Sequence, residues 1–141
     1  MRPHTSTGRK AQFVNREETS TSSKNSSPDT FIDHTPQPSS TPDKAGVRKL
    51  YTYLRNAFRD FHAEIHWQLA GGDRVTTYKT YYGTHQGPFL GVAPTHRKIH
   101  LEAVDVMRVQ NGKITDHWGV GNLLSLMQQT GGWNPPSEID R

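Results

Sequence analysis

The chain has 141 residues, room for one domain and seldom two. It contains no Cys, which excludes disulfides, thiolate catalysis and zinc–thiolate sites. Its formal charge of +4 comes from scattered basic residues, with Arg97-Lys98 and Arg48-Lys49 the main clusters, so nucleic acid is not an expected partner.

Mean hydropathy is -0.83. The apolar deficit is concentrated in residues 1–45, where Ser, Thr and Pro crowd the sequence. Residues 1–27 read as a polar, flexible segment with one short helical hint at 10–18, around Ala11, Phe13 and Val14. Residues 28–131 can bury one core, and 132–141 form a tail. No apolar run is long enough to span a bilayer, and the first 15 residues lack the apolar centre of a secretory signal. The expectation is a cytoplasmic protein with no membrane partner.

Taken in order, Phe31-Ile32 is a brief apolar patch ending in Asp33-His34. Pro36, Pro38 and Pro42 then impose extended or turn structure. A helix begins at the cap Asp43 or at Gly46, with Val47, Leu50, Leu54 and Phe58 on one stripe. Residues 61–69 alternate as a strand: Phe61, Ala63, Ile65, Trp67 and Leu69 on the inner face, His62, Glu64, His66 and Gln68 on the outer. Ala70-Gly71-Gly72-Asp73 is a turn. Residues 74–82 form a Thr/Tyr-rich strand, and 83–94 a Gly/Pro-punctuated loop. Residues 99–110 form a long strand, Asn111-Gly112 a hairpin turn and 113–121 the last strand. Residues 123–129 form a short helix or edge segment. Helices followed by a meander of strands give an α+β fold with an antiparallel sheet wrapped over helices.

The segments Ala70-Gly71-Gly72-Asp73-Arg74-Val75, Gly83-Thr84-His85-Gln86-Gly87, Phe89-Leu90-Gly91, Pro94-Thr95, Arg108-Val109 and Gly112-Lys113-Ile114 with Trp118 occur in an order that resembles the SnoaL-like polyketide cyclases and ester cyclases, within the nuclear-transport-factor-2-like, ketosteroid-isomerase-like superfamily. The resemblance covers roughly residues 31–131. It implies a cone-shaped curved antiparallel sheet around helices, with an internal apolar pocket. It also implies cofactor-independent ring closure by proton transfer, in which an Asp four residues after the family Trp is the acid/base. Here that position is Asn122. Two further departures are the polar residues 1–27, where the family has a long apolar helix, and His96, where the family turn usually has Gly.

A neutral amide cannot act as acid or base near neutral pH, so Asn122 either caps residues 123–129 or orients a ligand through a hydrogen bond. His85, between Gly83 and Gly87, is a candidate base or a residue that holds its loop. His34 matches a His that recurs in the family and is a pocket or turn residue. Asp105, flanked by Val104 and Val106, is a candidate base or the partner of a cation across the sheet. By simple alternation Trp118 shares a face with Ile114, Val120 and Asn122 and lines the pocket or packs in the core. Tyr78, Thr80, Trp67 and Phe89 complete the expected pocket. His62, Glu64 and His66 share a face, but as an outward one, so no metal site is expected.

The leading expectation is an enzyme that cyclises or isomerises a hydrophobic, oxygenated metabolite such as a polyketide, using no cofactor. The alternative is a binding module that holds such a ligand without transforming it. A homodimer through the outer sheet face is a third option. The row His62, Glu64, His66 is too polar for a large dry interface.

Overall fold

The protein is described by a computed structural model covering residues 30–134 and residue 136. The expected helical hint at 10–18, the rest of segment 1–27 and most of the tail at 132–141 lie outside the described residues. The elements are β1 (Ile32–Asp33), α1 (Lys44–Ala57), β2 (His62–Gly71), β3 (Arg74–Thr84), β4 (Lys98–Gln110), β5 (Lys113–Gly121) and α2 (Leu123–Gln129). The strands form one five-stranded sheet in the order β1-β5-β4-β3-β2. β1 joins β5 in parallel, and the other pairs are antiparallel. The sheet curves over the two helices, giving the α+β architecture expected from the sequence.

Local chemistry explains the element ends. The Asp43 carboxylate accepts the Gly46 N–H at 2.9 Å and the Thr41 hydroxyl at 2.6 Å, so Asp43 caps α1. At the β4–β5 hairpin both Asn111 and Gly112 take positive φ, the geometry that two-residue turn favours. His96 also takes a positive φ of 59°, at the turn where the resemblance leads one to expect Gly, and its N–H is held by the His85 carbonyl at 2.8 Å.

The core has two clusters. Phe31, Val75, Met107 and Ile114 pack at one end. Ala57, Phe58, Phe89, Ile99 and Leu126 pack at the other, joining α1, β4, α2 and the loop after β3. Gln86 and Gly87 donate their N–H groups to the Ala57 carbonyl, and a Cβ at Gly87 would strike the Asn56 carbonyl. That close approach is why this position needs Gly.

Two β-bulges overturn the simple alternation. In β2, Ile65 pairs with Lys79 and Trp67 with Tyr78, so His66 is the extra residue. In β5, Ile114 pairs with Val109 and Asp116 with Arg108, so Thr115 is the extra residue. Each inserted residue reverses the facing of everything beyond it. Trp67 and Leu69 therefore turn outward instead of inward, and Gln68 turns inward, where it donates to Thr77 at 2.9 Å. Likewise His117 and Gly119 face the concave side, while Trp118 faces the convex side against His34 and Arg74.

Phe58 is fully buried and contacts the rings of Phe61, His85 and Phe89. Phe58→Ala should cost about 3–5 kcal/mol of unfolding free energy in urea denaturation. A loss below about 1 kcal/mol would show that this end of the core does not depend on it.

Candidate active site

One cavity of about 410 Å³ lies between α1 and the concave sheet, within the range typical of small-molecule sites. Its wall is mostly apolar: Val47, Leu50 and Leu54 from α1, Phe61 at the start of β2, Leu101 from β4 and Leu126 from α2. Three polar pairs interrupt that surface.

The first pair joins β1 to β5. Asp33 and His117 are register partners, and His117 Nδ1 lies 3.0 Å from Asp33 Oδ1. The same carboxylate oxygen accepts the Thr35 N–H at 3.1 Å, and the Thr35 hydroxyl accepts the Gly119 N–H at 2.8 Å. Burial works to raise the Asp33 carboxyl pKa, but the His117 and Thr35 hydrogen bonds outweigh it and hold the group below its ordinary 3.8. An ionised Asp33 accepts from His117 Nδ1, so in the neutral tautomer that suits this contact the ring's lone pair falls on Nε2. A Cβ on Gly119 would come within 2.9 Å of His117 Nε2, so the missing side chain makes room for this edge of the ring.

The second pair crosses β3 and β4. Lys79 Nζ lies 2.6 Å from Asp105 Oδ2, and both side chains are almost entirely buried. Burial pushes the Lys79 ammonium below its ordinary range, and the Asp105 charge opposes that. Asp105 Oδ1 is buried and has no hydrogen-bond partner among the described residues. Asp105 is the register partner of Gly119, which places this pair beside the first.

The third pair is Tyr51 on α1 and Tyr81 on β3, whose hydroxyls lie 3.0 Å apart. Burial, with the nearby Asp105 and Asp33 charges, pushes Tyr51 up to about 12. Burial and the facing Tyr51 raise Tyr81 well above its ordinary value. Both phenols therefore keep their protons and act as donors at neutral pH.

Of the residues singled out from the sequence, Asp105 and Phe89 line this cavity. The others are placed elsewhere. His34 lies on the convex side, stacked on Trp118 at 4.4 Å and bonded to Asp116 at 2.8 Å. Trp118 is thus on the convex face as well, with the Arg74 guanidinium over its ring at 5.3 Å. Tyr78 and Thr80 share that outer face, where His66 bonds the Thr80 hydroxyl at 2.6 Å, and Trp67 is half exposed. His85 is fully buried beside Phe58, with Nδ1 held by the Thr95 hydroxyl at 2.9 Å, and it does not line the cavity. Asn122 is exposed and caps α2 by accepting the Ser125 N–H at 3.2 Å. Among the described residues no group of three or more His, Cys, Asp or Glu is placed to hold a metal ion.

His117, Asp33, Lys79, Tyr51 and Tyr81 escaped the sequence reading. The bulge at Thr115 hid His117. Lys79 alternates with the Tyr and Thr residues of β3 as a surface Lys would; its register partner is Ala103, and Asp105, opposite Thr77, reaches it diagonally on the same face.

Two predictions follow from the buried charges. Lys79→Met alone strands the Asp105 carboxylate and should cost about 3–5 kcal/mol in urea unfolding. Adding Asp105→Leu should recover a large part of that loss, and no recovery would show that the two groups are not coupled. For Asp33, the folded pKa lies below the unfolded value, so its contribution is complete above the unfolded value near 3.8 and disappears as pH falls through the lower folded value. Asp33→Asn should therefore make the acid limb of the stability profile shallower. An unchanged limb would contradict the Asp33–His117 pairing.

The chain matches the family described as SnoaL-like polyketide cyclase over residues 7–130. It is 35% identical over 71 residues to the nogalonic acid methyl ester cyclase of Streptomyces nogalater, covering 45% of this chain and 53% of that protein. It is 30% identical over 92 residues to the aklanonic acid methyl ester cyclase DauD of Streptomyces sp. (strain C5), covering 60% of this chain and 57% of that protein. The chain thus spans little more than half the length of these curated relatives. Among solved structures, a candidate polyketide cyclase from Bacillus cereus ATCC 10987 superposes with a TM-score of 0.73 at 27% identity, covering 86% of this chain and 78% of that one. AclR, a candidate hydroxylase of Streptomyces galilaeus, superposes with a TM-score of 0.76 at 25% identity, covering 92% and 82%. A Catenulispora acidiphila DSM 44928 protein with a ketosteroid isomerase-like fold shares the architecture at a TM-score of 0.67 and 18% identity, covering 92% and 99%. With the family pattern spanning residues 7–130, and the curved sheet and its cavity in place, this chain belongs to the SnoaL-like polyketide cyclase family.

Proposed function

We propose that residues 28–131 close a ring in a hydrophobic, oxygenated polyketide ester by proton transfer alone, without a cofactor. The observation that carries this reading is the Asp33–His117 pair on the wall of an apolar cavity. The names of the two curated relatives, both methyl ester cyclases, support the substrate class. A cytoplasmic site of action belongs to the same reading. Among the described residues no helix is long and apolar enough to cross a membrane.

The chemistry is an intramolecular aldol closure. Neutral His117 takes a proton from the carbon beside a carbonyl through Nε2, and the enolate electrons move onto oxygen. Asp33 stabilises the imidazolium that forms, as a buried carboxylate does for a catalytic His. The Lys79 ammonium and the Tyr51–Tyr81 hydroxyls offer positive charge and donors for the enolate oxygen. The enolate carbon then attacks a second carbonyl. The new alkoxide takes the proton back from His117, so no external acid, base or oxidant is consumed. In this scheme His117 does the work that the resemblance assigns to an Asp at position 122. Asp105 holds Lys79, and His85 and His34 act only on the shape of the fold.

Turnover of aklanonic and nogalonic acid methyl esters tests this. His117→Ala should lower kcat by about 10²–10⁴ while KM changes little. Wild-type turnover by this variant would rule His117 out as the base. A second reading, ligand binding without reaction, is favoured by Asn122, whose side-chain oxygen is engaged by the Ser125 N–H. It predicts that the wild-type chain binds these esters with no turnover and that Asn122→Asp brings turnover on.

A further inference from the structure

The glycines that line the cavity differ in what holds them to that residue type. At Gly46 a Cβ would strike the Thr41 carbonyl, and at Gly119 it would come within 2.9 Å of the His117 ring. Protein atoms already occupy those places. Gly121 differs from both. Its φ lies outside the left-handed region that favours glycine. A Cβ there would sit 3.6 Å from the Glu102 carbonyl oxygen, 3.6 Å from Leu101 Cδ1 and 3.9 Å from the Ala103 Cβ, all ordinary contacts. Neither the backbone nor a neighbouring described atom requires a glycine at this position. A glycine inside a strand weakens it, and it often marks a place where a ligand or another backbone comes close. No other described backbone comes that close here.

Register indicates what the missing side chain opens. Lys79, Ala103 and Gly121 are successive cross-strand partners on the concave face. Along that row the side chains shrink from lysine to a methyl group and then to nothing. The sheet floor is therefore bare beyond Lys79. Leu101 and, where α2 begins, Leu123 supply apolar walls. β1 pairs with β5 only at Asp116 and His117, so Gly121 stands on a stretch of β5 that β1 does not cover. It lies on the same face as His117, four residues along the strand, a distance of about 13 Å. We propose that Ala103 and Gly121 floor a subsite for the flat, apolar body of a fused-ring ketone or ester whose carbonyl lies at His117, and that Gly121 sets how long a ring system the cavity accepts. An aromatic face packs about 3.5–4.0 Å above the atoms beneath it, and a side chain at 121 would fill that layer. A two-ring body anchored at His117 stops short of Gly121, and a third ring in line reaches over it.

This inference rests on reading the cavity as a ligand site with His117 at the reacting end, but it concerns fit and asks nothing of proton transfer. The test is binding of two planar ketones that differ by one fused ring, 2-acetylnaphthalene and 2-acetylanthracene, followed by their fluorescence. The wild-type chain should bind both. Gly121→Leu should weaken 2-acetylanthracene about tenfold or more and leave 2-acetylnaphthalene within about threefold, with Gly121→Ala between the two. Thermal unfolding of both variants should match wild type, because the added Cβ meets only ordinary contacts. Selective loss of the longer ketone supports the subsite even where the wild-type chain turns over no ester, a result that would sink the ring closure alone. Equal weakening of both ketones, unchanged binding of 2-acetylanthracene by Gly121→Leu, or a wild-type chain that binds neither ketone would each overturn the proposal.

Discussion

The bulge at Thr115 inserts one residue opposite the step from Arg108 to Val109, and every side chain beyond it in β5 changes face. Without it, Trp118 would point into the cavity and His117 to the outside. With it, His117 meets Asp33 across the short parallel pairing of β1 with β5, and Trp118 meets His34 on the far side. The bulge in β2 acts in the same way on Trp67 and Leu69. The inner face consequently carries acid–base groups in an apolar wall, and the outer face carries large apolar side chains. Two inserted residues thus separate the polar pairs of the cavity wall from Trp67, Leu69 and Trp118 on the outer face.

The polar groups on the cavity wall are held by pairing. A lone buried carboxylate or ammonium would cost several kcal/mol, and in general such a group neutralises instead. Here Lys79 and Asp105 compensate each other, Asp33 is compensated by His117 and Thr35, and Tyr51 and Tyr81 share a hydrogen bond. These pairs lie side by side from β1 through β5 and β4 to β3 and onto α1. Fixed dipoles and charges beside an apolar cavity interact strongly with charge that develops on a bound ligand, because little water screens them. The same arrangement requires the helix: Tyr51 reaches Tyr81 only because α1 starts at its Asp43 cap and lays its apolar stripe on the sheet.

Elements, turns and fold were legible in the sequence because each rests on local chemistry. Asp43 caps, Asn111-Gly112 turns back, and Val47, Leu50 and Leu54 recur at helical spacing. Asp105 and Phe89 were legible as cavity residues, the first because a carboxylate between two Val residues needs a reason to be there. Facing was legible only as far as the bulges. A bulge is a property of two strands in register, and neither His66 nor Thr115 carries a signal such as Gly that would reveal it. One reversal at Thr115 misplaced Trp118 and concealed His117. Residues Tyr78 and Thr80 were assigned to the cavity for their hydroxyls, but face is set by Lys79 and Tyr81, whose register partners Ala103 and Leu101 line the wall. The sequence left Asn122 open between a cap and a ligand-orienting donor, and in the structure its side-chain oxygen accepts the Ser125 N–H as the cap of α2.

The central claim is that His117, and not His34, presents a free Nε2 lone pair to the cavity. Nitrogen-15 NMR of the histidine rings, recorded with and without aklanonic acid methyl ester, tests it most directly. The account predicts that the free protein holds His117 with its proton on Nδ1, and that added ester shifts the His117 Nε2 signal while the His34 signals stay in place. A His117 ring protonated on Nε2 alone, or ester-induced shifts at His34 with none at His117, would contradict it.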